Sequence, residues 1–457
     1  MNGKDIMALG FEAGKHIPAM LEIANGMPDA TDAEIKAAIQ HLAPAPKMYL
    51  QDSLPYHVNI RAQDGVEADN LDKVHETMMA LTKTPVVRAA AIMPDTMPAG
   101  PVGTIPVGGV VASEAIHPGM HSSDICCSLM ITVFDDVDPL TVLNSIHGVT
   151  HFGPGGRKNG NRFTLAKRIV DRFHGNTFLK DTKILQAAHD NLGTQGDGNH
   201  FAYVGISKQT GQTCLVTHHG SRGPGAGLYK LGMRVAERVR RKVSPDTIKV
   251  NAWIPADSKD GEAYWEALQI IRAWTKANHN CLHQAVADDL QLKVADRYWN
   301  EHNFVFRKTD GLFYHAKGAT PAFDGWADDA TDRTIIPLNM AEPILIARGL
   351  NAANGLGFSP HGAGRNMSRT AHKRMNEGRT DAEIFADETS HIDARFFMGM
   401  TDISELPSAY KNADTVRAQI SEFGLADIVD EIQPFGCIMA GDWQQNAPWR
   451  NKKRGLV

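Results

Sequence analysis

Cysteine is scarce in this chain: there are five in 457 residues, and two of them, Cys126 and Cys127, are adjacent. So few, so unevenly placed, exclude a disulfide framework; a lone thiol in a reducing compartment is more often a metal ligand or a nucleophile than half of a bridge. Long hydrophobic runs are also missing. Gly, Pro or a charge interrupts every apolar stretch well before membrane-spanning length. No basic start leads into an apolar segment, so no signal peptide is read and a cytoplasmic protein that avoids membranes is expected. Neither sign of charge dominates: the net charge is −5, which excludes a global basic field, so a nucleic acid would have to meet a local basic surface. There is no internal repeat, low-complexity tract or linker-like segment. What remains, 42% hydrophobic and 22% charged residues, is an ordinary globular composition on a chain long enough for one large core or two smaller ones.

The first hundred residues read as mainly helical. Thr31-Asp32-Ala33-Glu34 is a capping box before Ile35, Ala38, Ile39 and Leu42 at helical spacing. Residues 70–82 repeat the amphipathic pattern, and residues 86–93 read as a short strand. From Pro94 to Gly119 glycine and proline alternate with short apolar runs, read as strands and tight loops. Residues 128–134 look like a buried strand, 165–173 like a helix and 214–217 like a strand. The Gly/Asn-rich stretch 153–161 is read as a mobile or phosphate-facing loop. Residues 227–242 read as a helix whose late basic face (Arg238, Arg240, Arg241, Lys242) is most simply a solvated surface. Residues 261–290 read as a long helix, broken or kinked near Asn278–Asn280. A hairpin is expected over 304–320 with its turn at Thr309-Asp310-Gly311. A second capping box stands at Thr380-Asp381-Ala382-Glu383.

The chemistry concentrates in a few segments. His361-Gly362-Ala363-Gly364-Arg365 offers two glycines that let the backbone approach an anion, a guanidinium that grips phosphate bidentately, and an imidazole fit to be nucleophile, base or ligand. Asp124 and Cys127, three apart with a strand following, can converge on one ion, although a buried inert cysteine is the blander account. His200 follows the Gly-rich run 193–198 and is balanced between ligand and structural hydrogen bonder. His218 and His219 stand together at a strand end, so they point to opposite faces and only one should face a site. Ser221 and Arg222 suit a phosphate. His302 and Lys317, taken singly, read as structural.

Taken together and in this order, the segments Asp124-x-x-Cys127, Gly198-Asn199-His200-Phe201, Gly220-Ser221-Arg222-Gly223 and His361-Gly362-Ala363-Gly364-Arg365 resemble the RtcB family of RNA ligases, the tRNA-splicing and RNA-repair enzymes. The resemblance runs from about Val86 to Gly441, with further agreement at Met93-Pro94-Asp95, Ile335-Ile336-Pro337, Arg348-Gly349, Met367-Ser368-Arg369 and Ala409-Tyr410-Lys411. It implies an α+β fold, a single large domain of mixed β-sheets with surrounding helices over residues 83–441. A mainly helical region, 1–82, precedes it as part of the same domain, an accessory element or a homodimer contact, and a basic extension, 442–457, follows. It implies two manganese ions on Asp124, Cys127, His200, His218 and His302, with Cys127 bridging. His361 matches the histidine that attacks the α-phosphate of GTP, or here another nucleoside triphosphate, and becomes nucleotidylated. The nucleotide then passes to an RNA 3′-phosphate, 2′,3′-cyclic phosphates being opened first, and a 5′-hydroxyl displaces it. Nucleotide contacts are implied for Asn199, Asn303, Asn339, Met340, Gly362, Ala363, Gly364 and Tyr410, and phosphate or RNA contacts for Arg222, Arg365, Arg369 and Lys317.

The departures from the family pattern fall on the nucleotide. Tyr203 stands where the family has a guanine-contacting glutamate, Leu338-Asn339-Met340-Ala341 replaces Gly-Ser-Met-Gly, Ile344 replaces a serine, and Ala440 replaces a lysine. Met97 stands for a histidine, and Trp443, Trp449 and the basic tail are extra. Losing a donor and an acceptor from a base site costs a few kcal/mol and most of its discrimination. The bulkier Asn339 and Ile344 are expected to reduce the pocket. Three functions follow: a ligase with altered or relaxed nucleotide choice, a metal-dependent phosphoesterase or end-healing enzyme without nucleotide transfer, or a non-catalytic RNA-binding relative.

Overall fold

The computed structural model describes residues 1–43, 46–157 and 162–442. Its architecture is α+β: two principal mixed sheets and a small third one are combined with helices, and the chain crosses from the larger sheet to the second at His302, between the strands Val294–Glu301 and Asn303–Arg307. In the larger sheet the strands run in the order Arg333–Ile336, Ile344–Gly349, Ala426–Met439, Phe201–Ser207, Thr213–His219, Ser128–Phe134 and Val294–Glu301, with Asp393–Phe396 pairing in parallel with the third. Almost every residue of Thr213–His219 and Ser128–Phe134 is buried, which accounts for their near-continuous apolar sequence. The second sheet runs His57–Val58, Val87–Met97, Val107–Ser113, Phe313–Lys317, Asn303–Arg307. Its last two strands form the hairpin expected around Thr309–Gly311. A small third sheet pairs Ala319–Pro321 with Phe358–Pro360.

The helices follow their caps. Both predicted capping boxes form, at Thr31/Glu34 and Thr380/Glu383. The helices Gly3–Ala8, Ile17–Asn25 and Asp32–Ile39 close a small core of their own around Ile6, Met20, Ile35 and Ile39. The helix Gly65–Thr82 starts five residues earlier than its apolar pattern, because Asp64 caps it, and it packs Val74, Met78 and Leu81 against the second sheet. The helix Arg222–Val243 also starts five residues before the expected Gly227. Three glycines and Pro224 disguise its first turns, and a proline there lacks only an N–H that has no helical partner anyway. Its late basic face is neutralised locally: Arg240 and Arg241 pair with Glu237, and Arg238 with Asp260.

One expectation fails. The helix Lys259–Asp289 runs unbroken through Asn278–Asn280. The Asn278 carboxamide does not compete for its own helix backbone. It accepts from Gly193 N and donates to the Thr194 carbonyl across the interface, so a residue poor at helix formation is held by tertiary bonds. Among the described residues no helix is long and apolar enough to cross a membrane. Residues 158–161 of the Gly/Asn-rich stretch and 443–457 of the basic extension, with Trp443 and Trp449, lie outside the described residues.

Candidate active site

Four neighbouring strands bring the candidate ligands together. In the larger sheet Phe201 pairs with His218, Leu129 with His218, and Ser128 with both His219 and Glu301. Because these strands alternate in direction, the starts of two and the ends of two fall at one edge. His200 and Cys127 stand just before their strands, His218 near the end of its own, and His302 just after its own, where the chain crosses to the second sheet. The Asp124–Cys127 turn is stapled there: Cys126 N–H donates to Asn303 O at 2.7 Å, and His302 N–H donates to Cys127 O at 2.9 Å. Cys126 has φ +57°, a left-handed conformation that turns the chain sharply between Asp124 and Cys127. A Cβ at Gly220 would lie 1.9 Å from an Asp124 carboxylate oxygen, so any side chain there would displace that carboxylate from its place in the cluster.

Two ligand groups result, Cys127 with His218 and His302, and Asp124 with Cys127 and His200. Cys127 belongs to both. Within each group the ligand atoms lie within 4.8 Å of one another. The Cys127 sulfur is 3.2 Å from His218 Nε2 and 3.5 Å from His200 Nε2, and His218 Nε2 is 3.1 Å from His302 Nε2. His218 Nδ1 faces the Asn199 carbonyl at 3.1 Å, which can only accept, so Nδ1 carries the proton and Nε2 presents a bare lone pair to the cluster. Burial pushes His218 and His302 well below the usual imidazole range, so both stay neutral. Burial also pushes the Cys127 thiol well above its usual range. A mostly buried pocket where lone pairs and a thiol converge, with a fixed tautomer behind one imidazole, fits a divalent transition metal, whose charge would reverse the thiol's reluctance to ionise. Burial pushes the Asp124 carboxyl up, but His200 outweighs it and holds it down to about 2, ionised at neutral pH.

The cluster has a neighbour of different chemistry. The His361 ring lies 4.6 Å, centroid to centroid, from that of His302. His361 Nδ1 is 2.6 Å from a carboxylate oxygen of Asp95, a fully buried residue. A carboxylate accepts, so Nδ1 donates, and in the neutral ring Nε2 is the nitrogen that carries the lone pair. The close fit depends on Gly364 at φ +74°, where a Cβ would strike the Asp95 carbonyl at 2.2 Å. Asp95 was not among the candidates. Its only signal was membership of Met93-Pro94-Asp95, and it reaches the site because the strand runs through Pro94 to Met97, four residues beyond its expected end.

His361 and His218 open onto a cavity of about 270 Å³ that also brings together Asn199, Asn339, Met340, Gly362, Ala363, Gly364, Arg365, Arg369 and Tyr410. Apart from Glu405, its remaining walls are apolar, Met97, Val107, Phe201, Leu338 and Met439 among them. Three of the nucleotide and phosphate candidates stand outside it. The Asn303 carboxamide accepts from Gly318 N at 2.8 Å. Arg222 donates to the Gly153 carbonyl and lines an adjoining cavity with Asp124, His200 and Arg369. Lys317 points its ammonium toward the Ile105 carbonyl at 3.4 Å. Of the substituted positions, Tyr203 is sealed in the core with its hydroxyl donating to Ile432 O at 2.8 Å, Ile344 and Ala440 are buried, and none of the three lines the cavity. Ile344 therefore does not reduce it.

A second residue escaped the sequence. Glu405, 2% exposed, lines the cavity and collects Arg365, Arg369 and the Tyr410 hydroxyl on its carboxylate, the last at 2.6 Å. Both arginines thus meet a buried anion before any phosphate arrives. Nothing in the surrounding Asp402-Ile403-Ser404-Glu405 marks it as special.

Burial lowers the Lys317 pKa from 10.5 to about 8. Between these values the unfolded chain binds the extra proton, so stability rises with pH across that window, and the residue's unfavourable contribution is complete below pH 8. Lys317→Met is expected to raise the thermal midpoint at pH 7, with the gain shrinking toward pH 10.5, as calorimetric melts at several pH values would record.

Imidazoles, a thiol and a carboxylate arranged for divalent ions, beside a histidine with a free ring nitrogen and an arginine-bearing cavity, define a site for metal-assisted chemistry on phosphates. Comparison with known proteins agrees. The family model described as tRNA-splicing ligase RtcB matches residues 160–440, so the chain belongs to the RtcB family. Curated relatives named tRNA-splicing ligase RtcB include those of Aeropyrum pernix (26% identical, covering 74% of this chain and 86% of the relative), Thermococcus kodakarensis (26%, the same shares) and Archaeoglobus fulgidus (27%, covering 80% and 90%).

Proposed function

We propose that the chain is an RNA ligase that joins a 3′-phosphate or 2′,3′-cyclic-phosphate RNA end to a 5′-hydroxyl end through a nucleotidyl-His361 intermediate. The observation that carries this reading is His361, whose Nδ1 is tied to buried Asp95 while its other nitrogen stays nucleophilic beside the ligand cluster. The names of the relatives supply the RNA substrate. Asp124, Cys127, His200, His218 and His302 would hold two divalent ions, manganese in this proposal. Such ions, when bound, neutralise charge on phosphate oxygens and on the pyrophosphate leaving group.

The chain's own residues do the rest. His361 Nε2 attacks the α-phosphorus of a nucleoside triphosphate; the N–P bond forms, the bond to pyrophosphate breaks, and Asp95 stabilises the positive charge that develops on the ring. An oxygen of the RNA 3′-phosphate then displaces His361, and the 5′-hydroxyl attacks the activated phosphate and expels the nucleoside monophosphate. The apolar walls Met97, Phe201, Leu338, Met340 and Met439 hold a base by its faces, and no carboxylate is free to read its edge. Several nucleoside triphosphates are therefore expected to serve. The catalytic unit in this proposal spans residues 83–441, with 1–82 accessory to it.

The direct test is circularisation of an RNA carrying a 5′-hydroxyl and a labelled 3′-phosphate, with manganese and each triphosphate in turn. A product whose label resists phosphatase supports ligation. Removal of the phosphate without joining, in metal-loaded protein, supports the end-healing alternative instead. Asp95→Asn tests the role of the orienting carboxylate. Its amide can donate to Nδ1 and force the proton onto Nε2, so adduct formation is expected to fall about 10²–10⁴-fold, as in other catalytic histidines given the wrong tautomer. Metal uptake by that variant should be unchanged.

A further inference from the structure

On the face of the sheet opposite the ligands, toward the helix Lys259–Asp289, lies a buried polar layer, beside His219 and Asn278. Ser128, Thr132 and Thr217 from the two central strands meet His279 and His283 from the helix, and all five are fully buried. The contacts form one chain. Arg297 Nε donates to Thr132 Oγ1 at 2.8 Å, and Thr132 Oγ1 lies 2.8 Å from His283 Nδ1. His283 Nε2 lies 2.8 Å from Thr217 Oγ1, which lies 2.6 Å from His279 Nδ1. His279 Nε2 lies 3.1 Å from Ser128 Oγ, which donates to the Cys126 carbonyl at 3.0 Å.

The proton order of this chain is determined by its ends. A guanidinium can only donate and a carbonyl can only accept. With Arg297 donating, the single hydroxyl hydrogen of Thr132 goes to His283 Nδ1. His283 then carries its proton on Nε2 and donates to Thr217, Thr217 donates to His279 Nδ1, and His279 donates from Nε2 to Ser128. Every contact is satisfied in this direction. The reverse direction leaves the Thr132 hydroxyl without an acceptor and the Cys126 carbonyl without the serine hydrogen. Burial pushes both histidines well below the usual range, which suits two neutral rings.

Both strands of the layer carry ligands one residue away: Ser128 follows Cys127, and Thr217 precedes His218. The Ser128 hydroxyl also props the carbonyl of Cys126, the left-handed residue that turns Cys127 into the site. Buried polar groups cost stability unless satisfied, whereas apolar residues would fill this interface without directional demands. What directional bonds add is a fixed strand register and rotation, since a slip of one residue sends each side chain to the opposite face.

We propose that the Ser128–His279–Thr217–His283–Thr132 chain is a positioning layer for the metal-ligand cluster, with the Thr217 hydroxyl as its central link. The proposal rests on the metal-binding part of the function above and deepens it. Its test is cobalt(II) titration of the full-length protein, followed through the thiolate-to-cobalt absorption band, which reports Cys127 at the metal. Thr217→Val, close in shape but without the hydroxyl, is expected to weaken cobalt binding about 10–100-fold and to shift the band, and Thr217→Ser is expected to restore both. Arg297→Met, which removes the donor that orders the chain from its outer end, is expected to weaken binding in the same direction; it decides the matter if Thr217→Val does not fold. Wild-type affinity and an unshifted band in folded Thr217→Val, or in Arg297→Met where Thr217→Val does not fold, would overturn the layer alone. Failure of the wild type to bind cobalt would overturn the metal site itself, and the layer with it.

Discussion

His361→Ala is expected to abolish RNA joining and the nucleotide adduct, a loss of about 10³-fold or more, while metal uptake stays at the wild-type stoichiometry. The two halves of this expectation have separate causes. His361 would supply the electron pair that attacks phosphorus, and no other imidazole in the cavity can replace it: His218 Nε2 is turned to Cys127 and His302. Its loss should leave the ligand groups intact, because neither contains it. Alanine also removes a ring that packs against His302 and bonds Asp95, so some loss of stability is expected, and a cooperative melt must accompany the activity measurement. If phosphate release from RNA ends persisted in this variant, the phosphoesterase reading would gain and the ligase reading would fail.

Cys127→Ala is expected to be as damaging by a different route. Cys127 is the residue common to both ligand groups, so its removal should cost the binding of both ions. Neither group keeps three donors without it. Metal content by elemental analysis should fall from about two ions per chain toward zero, with adduct formation and joining down about 10³-fold or more. A variant that still held two ions would refute the shared-ligand assignment. The pair of variants is more informative than either alone, since one should lose chemistry with its metals in place and the other should lose the metals first.

Asp124, Cys127, His200, His218 and His302 were legible as a set only through the resemblance to the RtcB family, since His302 taken singly reads as structural and Asp124 with Cys127 as a weak pair; the structure brings the five together. The split between His218 and His219 followed from strand alternation alone. In the structure His218 turns to the cluster, and His219 turns to the helix, where its ring stacks on His279 at 3.5 Å. Asp95 and Glu405 were not legible. Asp95 acts across 266 positions of chain, and Glu405 lies 36 positions beyond Arg369, two of whose nitrogens donate to one of its carboxylate oxygens, so no local spacing could announce either. The α+β class followed from the family resemblance, with which the strand and loop reading agreed, but element boundaries did not. Gly223, Pro224 and Gly225 concealed a helix start, and Asn278 suggested a break that a tertiary hydrogen bond prevents. The effect of Tyr203 also depended on three dimensions. It reads as a lost base contact, yet the ring belongs to the core and its hydroxyl serves a backbone carbonyl.

The most direct measurement is the intact mass of the purified full-length protein after incubation with manganese and each nucleoside triphosphate, with His361→Ala run in parallel. The account predicts an acid-labile gain of one nucleoside monophosphate on the wild type, with more than one triphosphate able to supply it, and no gain on the variant. No adduct from any triphosphate in metal-loaded wild-type protein, or an adduct that survives in His361→Ala, would contradict it.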